Sequence, residues 1–179
     1  MYTELAQWIN YHRVLALGDS AYPFRQGISH FSVGYFTFHF TNDHGTNFEV
    51  EIEESPNALD YFTRTQKKKA KPEAKAYVIN FSDRDELDEI GKTGKGDAFK
   101  VFSTVLAVLK HFIAKNPQTA IIEFTALKDH ENNSDSRQTL YKFYADLIHK
   151  KILGWKNVKR EINRGGDYTA TLYNPALFE

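Results

Sequence analysis

The chain has 179 residues, no cysteine, 23 Lys plus Arg and 23 Asp plus Glu, so its formal net charge is zero. That length can bury one substantial core, and a hydrophobic content of 41% places the chain among globular folds rather than disordered segments. The lack of cysteine excludes disulfides, thiolate metal sites and a cysteine nucleophile, and balanced charge weighs against a general nucleic-acid binder, which carries a basic excess.

Residues 3–17 are expected to form an amphipathic helix, with Leu5, Trp8, Ile9 and Leu15 near one face and Gly18 as its stop. No basic segment followed by an apolar core occurs in residues 1–10, and no apolar run is long enough to span a bilayer. A soluble, cytoplasmic protein is therefore expected. Residues 18–30 carry Gly, Pro and Ser and are expected to be a loop. Residues 31–40 alternate, with Phe36, Phe38 and Phe40 on one face, and Thr41-Asn42-Asp43-His44-Gly45 forms a turn. Phe48, Val50 and Ile52 then alternate with Glu49, Glu51 and Glu53. This pattern predicts a β-hairpin with one buried and one wet face.

Ser55-Pro56-Asn57 interrupts the alternation. Residues 58–75 predict a short helix and then a basic loop holding Arg64, Lys67, Lys68, Lys69, Lys71 and Lys75. No aromatics interleave with these cations after Phe62, so the loop is expected to be a solvated, mobile connection rather than a nucleic-acid surface. Residues 76–82 predict a strand. Residues 98–115 predict a helix whose apolar side chains cover more than one face, as burial against a sheet requires; Asn116-Pro117 ends it. Residues 119–127 predict a strand, and residues 136–152 a helix carrying Leu140, Phe143, Leu147 and Ile148. Residues 158–162 and 168–173 bracket Arg164-Gly165-Gly166-Asp167 as a closing hairpin. The order predicts a single α/β domain around a mixed sheet.

The segment Gly91-Lys92-Thr93-Gly94-Lys95-Gly96-Asp97-Ala98 joins the strand over 76–82 to the helix over 98–115. Its glycines and lysines suit an anion, because free N–H groups and the positive end of the helix dipole meet there. Asp97 equally suits an N-cap that occupies those donors. Two nucleotide motifs fail. Counting from Gly91, the Gly-Lys-Ser/Thr of a P-loop is replaced by Gly96-Asp97-Ala98, and the last glycine of a dinucleotide fingerprint is replaced by Phe99. The seven histidines show no paired metal-ligand spacing, and no G-x-S-x-G elbow is present.

Residues 76–174 resemble the GNAT superfamily of N-acyltransferases. In that family a strand leads through a Gly-rich loop into a helix, then to a second strand, a helix with a Leu-Tyr pair, a Gly-Phe pair and a final hairpin. Here Gly91 to Gly96 stand in the loop, Leu140-Tyr141 on the expected helix and Gly154-Trp155 at the Gly-Phe position. Residues 1–75 are a divergent N-terminal part. Thr93-Gly94-Lys95-Gly96-Asp97-Ala98-Phe99-Lys100-Val101-Phe102 and Ser136-Arg137-Gln138-Thr139-Leu140-Tyr141 also resemble a group of bacteriophage proteins of unassigned activity. The first resemblance implies an acyl-CoA-dependent N-acyltransferase acting on an amine, small-molecule or protein. Thr93, Gly94, Lys95 and Gly96 would then hold the acetyl-CoA pyrophosphate. Tyr141 would protonate the departing thiolate, the alternative being a half-buried aromatic. Gly91 departs from the family's Arg or Gln at the first loop position, and Asp97 sets a carboxylate beside the pyrophosphate. Glu123, the acid of an otherwise apolar strand, is the candidate general base; the alternative is a solvated strand face. The second resemblance implies a non-catalytic relative that binds a host or virion protein in the host cytoplasm.

Overall fold

In the computed structural model, residues 21–27, 33–83, 98–126, 149, 154–159 and 168–179 are described. Seven strands form one mixed sheet: β1 (Phe24–Gln26), β2 (Tyr35–Thr41), β3 (Asn47–Glu54), β4 (Lys75–Asp83), β5 (Thr119–Ala126), β6 (Lys156–Lys159) and β7 (Tyr168–Tyr173). Helix α1 (Pro56–Gln66) joins β3 to β4, and α2 (Ala98–Lys115) lies between β4 and β5. A 3-10 turn, Pro175–Leu177, ends the chain. The sheet order is β1-β2-β3-β4-β5-β7-β6. Among the described residues only β4 and β5 are parallel neighbours; the other pairings are antiparallel. The chain is thus a mixed α/β domain.

The alternation of β2 and β3 dictates their pairing. Phe36, Phe38 and Phe40 stand opposite Ile52, Val50 and Phe48, so one face of the hairpin is apolar. Asn42 shapes the turn: its side-chain oxygen accepts from the N–H groups of His44 at 3.0 Å and Thr46 at 2.8 Å. The apolar face, continued by Tyr77, Ile79, Ile122 and Leu172, packs on Val101, Val105, Val108, Leu109 and Phe112 of α2. Phe112 is wedged edge-on between Phe36 and Tyr77, at centroid distances of 5.0 and 4.9 Å. Burying side chains of this size contributes roughly 1.5–3 kcal/mol each. On the opposite face, α1 sets Ala58 and Phe62 against Ala76, Ala120, Ile121 and Leu177. Ser55 caps α1 by accepting from the Ala58 N–H, and Pro56 supplies the first helical residue.

The hairpin, the strands around 76–82 and 119–127, the helix over 98–115 and the strand over 168–173 appear where the pattern puts them, whereas the strand expected over 158–162 begins two residues earlier, at Lys156, with residues 160–162 outside the described ones. Two further expectations change. The stretch expected to be a loop over 18–30 contains β1, an edge strand paired with β2 from Phe24↔Phe40 to Gln26↔Phe38. It ends at Gly27, whose N–H donates to the Thr37 carbonyl at 2.8 Å. A Cβ at Gly27 would meet the Thr37 hydroxyl and the His39 ring, so a larger residue here would require those side chains to shift. The basic loop is also not a loose connection. Ala70 bridges Phe178, Lys71 N–H donates to the Leu177 carbonyl at 3.0 Å, and Glu179 N–H donates to the Lys69 carbonyl at 2.8 Å. The helix expected over 3–17, the loop over 91–97 and the turn over 164–167 lie outside the described residues. So does the helix expected over 136–152 except at His149, which is helical and sets Nδ1 2.8 Å from the Trp155 carbonyl.

Candidate functional site

The two parallel strands share a ladder over only part of their length. Their register runs Lys75↔Thr119, Ala76↔Ile121, Tyr77↔Ile122 and Val78↔Glu123, with an irregularity after Lys75, and then stops. Both strands continue. Residues 79–83 of β4 remain paired with β3, from Ile79↔Ile52 to Asp83↔Phe48. Residues 124–126 of β5 remain paired with β7, from Phe124↔Ala170 to Ala126↔Tyr168. Each strand is held by its outer neighbour, while the ladder between them ends at Val78↔Glu123, short of their carboxyl ends. In open α/β sheets, the carboxyl ends of the strands are where ligands bind. Beyond that pair, the facing edges of β4 and β5 present backbone groups without a ladder partner among the described residues, and such groups need hydrogen-bond partners when water is excluded.

The first turns of α2 lie at this same end of the sheet. Lys100 donates to Asp43, in the β2–β3 turn, at 3.0 Å, and its ammonium stands 4.0 Å from the Tyr22 ring centroid. That hydrogen bond holds the Asp43 carboxyl below its ordinary value. Thr104 accepts from the Tyr22 N–H and donates to the Lys100 carbonyl, both at 2.8 Å. The end of α2 next to the preceding loop is thereby fixed against the sheet.

Glu123 sits at the last paired position of the β4–β5 ladder. Its neighbours Ile122 and Phe124 enter the core under α2, so alternation turns Glu123 to the α1 side of the sheet. It is half-buried there. Thr171, directly across in β7 and fully buried, donates its hydroxyl to Glu123 Oε1 at 3.0 Å. The Glu123 carboxylate is thus half-buried and held by a neighbouring strand at the end of the β4–β5 ladder.

Beyond the apolar cluster under α1, the part of that face built by β2 and β3 is polar. Tyr35 donates to Glu51, and burial together with this carboxylate raises the Tyr35 phenol far above its ordinary value. His39 Nδ1 approaches Glu49 Oε2 to 3.1 Å without hydrogen-bond alignment. At the other end, Lys75 donates to Glu54 at 2.8 Å, which raises the Lys75 ammonium. Burial, then the Glu54 charge, raises the Tyr77 phenol. Two shallow cavities lie elsewhere: one of about 450 Å³ beside Phe24, His39 and Phe48, and one of about 300 Å³ beside Pro56, Pro72 and Lys75. Among the described residues no group of three or more acidic or histidine side chains is placed to hold a metal ion. No helix among them is long and apolar enough to cross a membrane.

Of the residues singled out by sequence, Glu123 is described and stands at the end of the β4–β5 ladder. Thr93, Gly94, Lys95, Gly96 and Tyr141 lie outside the described residues. Sequence reasoning missed Thr171. Its only signal is a threonine in an alternating strand, and its role emerges once register sets it opposite Glu123.

No family model and no curated protein matches the chain. Among solved structures it is similar to FeeM, an N-acyl amino acid synthase from uncultured soil microbes, at 14% identity over 96% of this chain and 90% of that one, with a TM-score of 0.40.

Proposed function

We propose that this chain is an acyl-CoA-dependent N-acyltransferase of the GNAT type, moving an acetyl group to an amine. The observation that carries this reading is the end of the β4–β5 ladder at Val78↔Glu123, short of either strand's carboxyl end, which we read as an opening between them. A pantetheine arm is an extended chain with amides along it. Inserted between two strands that have parted, it supplies hydrogen-bond partners to both edges, as an added strand does. The pyrophosphate then belongs at the start of α2, where unpaired N–H groups and the positive end of the dipole favour an anion. Thr93, Gly94, Lys95 and Gly96 are the residues assigned to it from the sequence.

The chemistry needs a neutral amine and a protonated leaving group. Glu123 accepts the proton of the acceptor ammonium, directly or through one water. The freed nitrogen attacks the thioester carbonyl, a C–N bond forms and the C–S bond breaks. Tyr141 gives its phenolic proton to the departing thiolate, and the second proton lost from the acceptor nitrogen restores the phenol through water, leaving an amide, a free thiol and a protonated Glu123 that returns its proton to solvent. Positioned acids and bases of this kind contribute on the order of 100- to 10,000-fold.

Thiol release from acetyl-CoA with a panel of primary amines tests the reading. Tyr141→Phe should lower kcat roughly 100-fold with the KM for acetyl-CoA little changed, and Glu123→Gln should lower it at neutral pH. Unchanged turnover in either variant removes that residue's role. A folded protein that gives no calorimetric heat with millimolar acetyl-CoA removes the whole reading and leaves the non-catalytic binder of a host or virion protein.

A further inference from the structure

The far end of the sheet from the opening carries a concentrated positive charge. Residues 61–71 include Arg64, Lys67, Lys68, Lys69 and Lys71 and no acid. Lys69 pairs with Glu179 at 3.0 Å. Arg64, Lys67, Lys68 and Lys71 meet no carboxylate among the described residues. In a chain of zero net charge, this is local segregation and not an overall basic excess.

Three features distinguish this rim from a solvated charge run. It is pinned: the Ala70–Phe178 bridge ties the lysines to the chain's last residues, above a cluster of Phe62, Tyr173 and Phe178 with ring centroids 5.0–5.8 Å apart. It holds Lys67 in the left-handed region, at φ 51°. Helices ordinarily give that position to glycine, and it is costly for a residue with a side chain; here it carries an exposed cation instead. Finally, Tyr61 is 45% exposed on the same rim, and the Arg64 guanidinium stands 5.9 Å from its ring centroid. The aromatic that the sequence lacks after Phe62 is supplied one helical turn before Arg64.

We propose that this rim binds single-stranded nucleic acid. Lys67, Lys68 and Lys71 follow the phosphates, while Tyr61 with Arg64 offers a flat cationic platform on which a base stacks. Charge alone would serve an acidic peptide equally well; the exposed tyrosine beside the guanidinium favours a base. Because the rim leads into the first residue of β4 and the opening lies beyond Val78, this site is separate from the proposed acyl-transfer site.

Anisotropy of a fluorescein-labelled 20-mer of thymidylate, titrated with the full chain between 50 and 200 mM salt, tests the proposal. Three phosphate contacts predict a slope of log K against log salt of about −2. Replacing Lys67, Lys68 and Lys71 by Gln together should abolish most of that slope. Tyr61→Ala should weaken binding roughly tenfold with the slope unchanged. Circular dichroism and melting check that each variant folds. The proposal is overturned by a folded wild-type chain that leaves the anisotropy unchanged at 50 mM salt and ~500 µM protein, above the usual non-specific Kd of ~1–100 µM. It is equally overturned by binding that survives the triple substitution. Full affinity in Tyr61→Ala, with labelled polyglutamate bound as tightly, overturns it in favour of an acidic peptide.

Discussion

Strand β4 meets its two neighbours differently. Against β3 it is paired along its length, seven residue pairs from Phe48↔Asp83 to Glu54↔Tyr77. Against β5 it makes four pairs, skips Ala120 at the irregularity after Lys75, and ends its ladder at Val78↔Glu123. The closed seam is the one whose side chains alternate cleanly. Val50, Ile52, Ile79 and Tyr77 fill the core under α2, while Glu49, Glu51 and Glu53 face the other way. The other seam is parallel, and parallel strands need a crossover, supplied here by α2 with its preceding loop. The closed seam carries packed core, and the other seam is where the proposed acyl-CoA would bind.

The largest expected effect probes the closed seam. Phe112→Ala removes the ring between Phe36 and Tyr77 and should cost about 3–5 kcal/mol in urea unfolding. A loss below about 1 kcal/mol, the size of an ordinary surface change, would show that this core does not carry the stability. Next comes the edge of the opening. Thr171→Val keeps the shape of a fully buried side chain but removes the donor to Glu123 Oε1. It should cost about 1–3 kcal/mol and lower turnover, whereas Thr171→Ser should restore both. Equal unfolding midpoints for Thr171→Val and wild type would show that this hydrogen bond contributes nothing.

The smallest effect belongs to the exposed contact that ties α2 to the hairpin turn. Lys100 holds Asp43 below its ordinary 3.8, so the folded state binds that proton less readily than the unfolded chain. The contribution is present above pH 3.8 and is lost as pH falls through the folded value. Asp43→Asn should therefore lower the melting temperature slightly at neutral pH, and the difference from wild type should vanish in acid. A difference that grows on acidification would contradict the pairing.

Much of the closed seam was legible in the sequence. The alternation of Phe36 to Phe40 and of Phe48 to Ile52 fixes which face is buried, and Asn116-Pro117 marks the end of α2. Local pattern failed where long-range register decides. β1 is three residues between Pro23 and Gly27, too short for a period, and exists because β2 offers an edge. The rigid basic rim depends on the chain's last residues folding back on Lys69 to Lys71. Glu123 was visible as an acid in an apolar strand, but its partner Thr171 and the end of the β4–β5 ladder depend on which residue faces which across strands distant in sequence.

Amide hydrogen exchange over residues 79–83 and 124–126, with and without millimolar acetyl-CoA, tests the central claim most directly. Without ligand, the β4 amides directed away from β3 should exchange much faster than those directed at β3, and acetyl-CoA should slow them together with residues 124–126. Uniformly slow exchange without ligand would mean that the seam is closed. Fast exchange that acetyl-CoA leaves unchanged would mean that the opening does not receive an acyl-CoA.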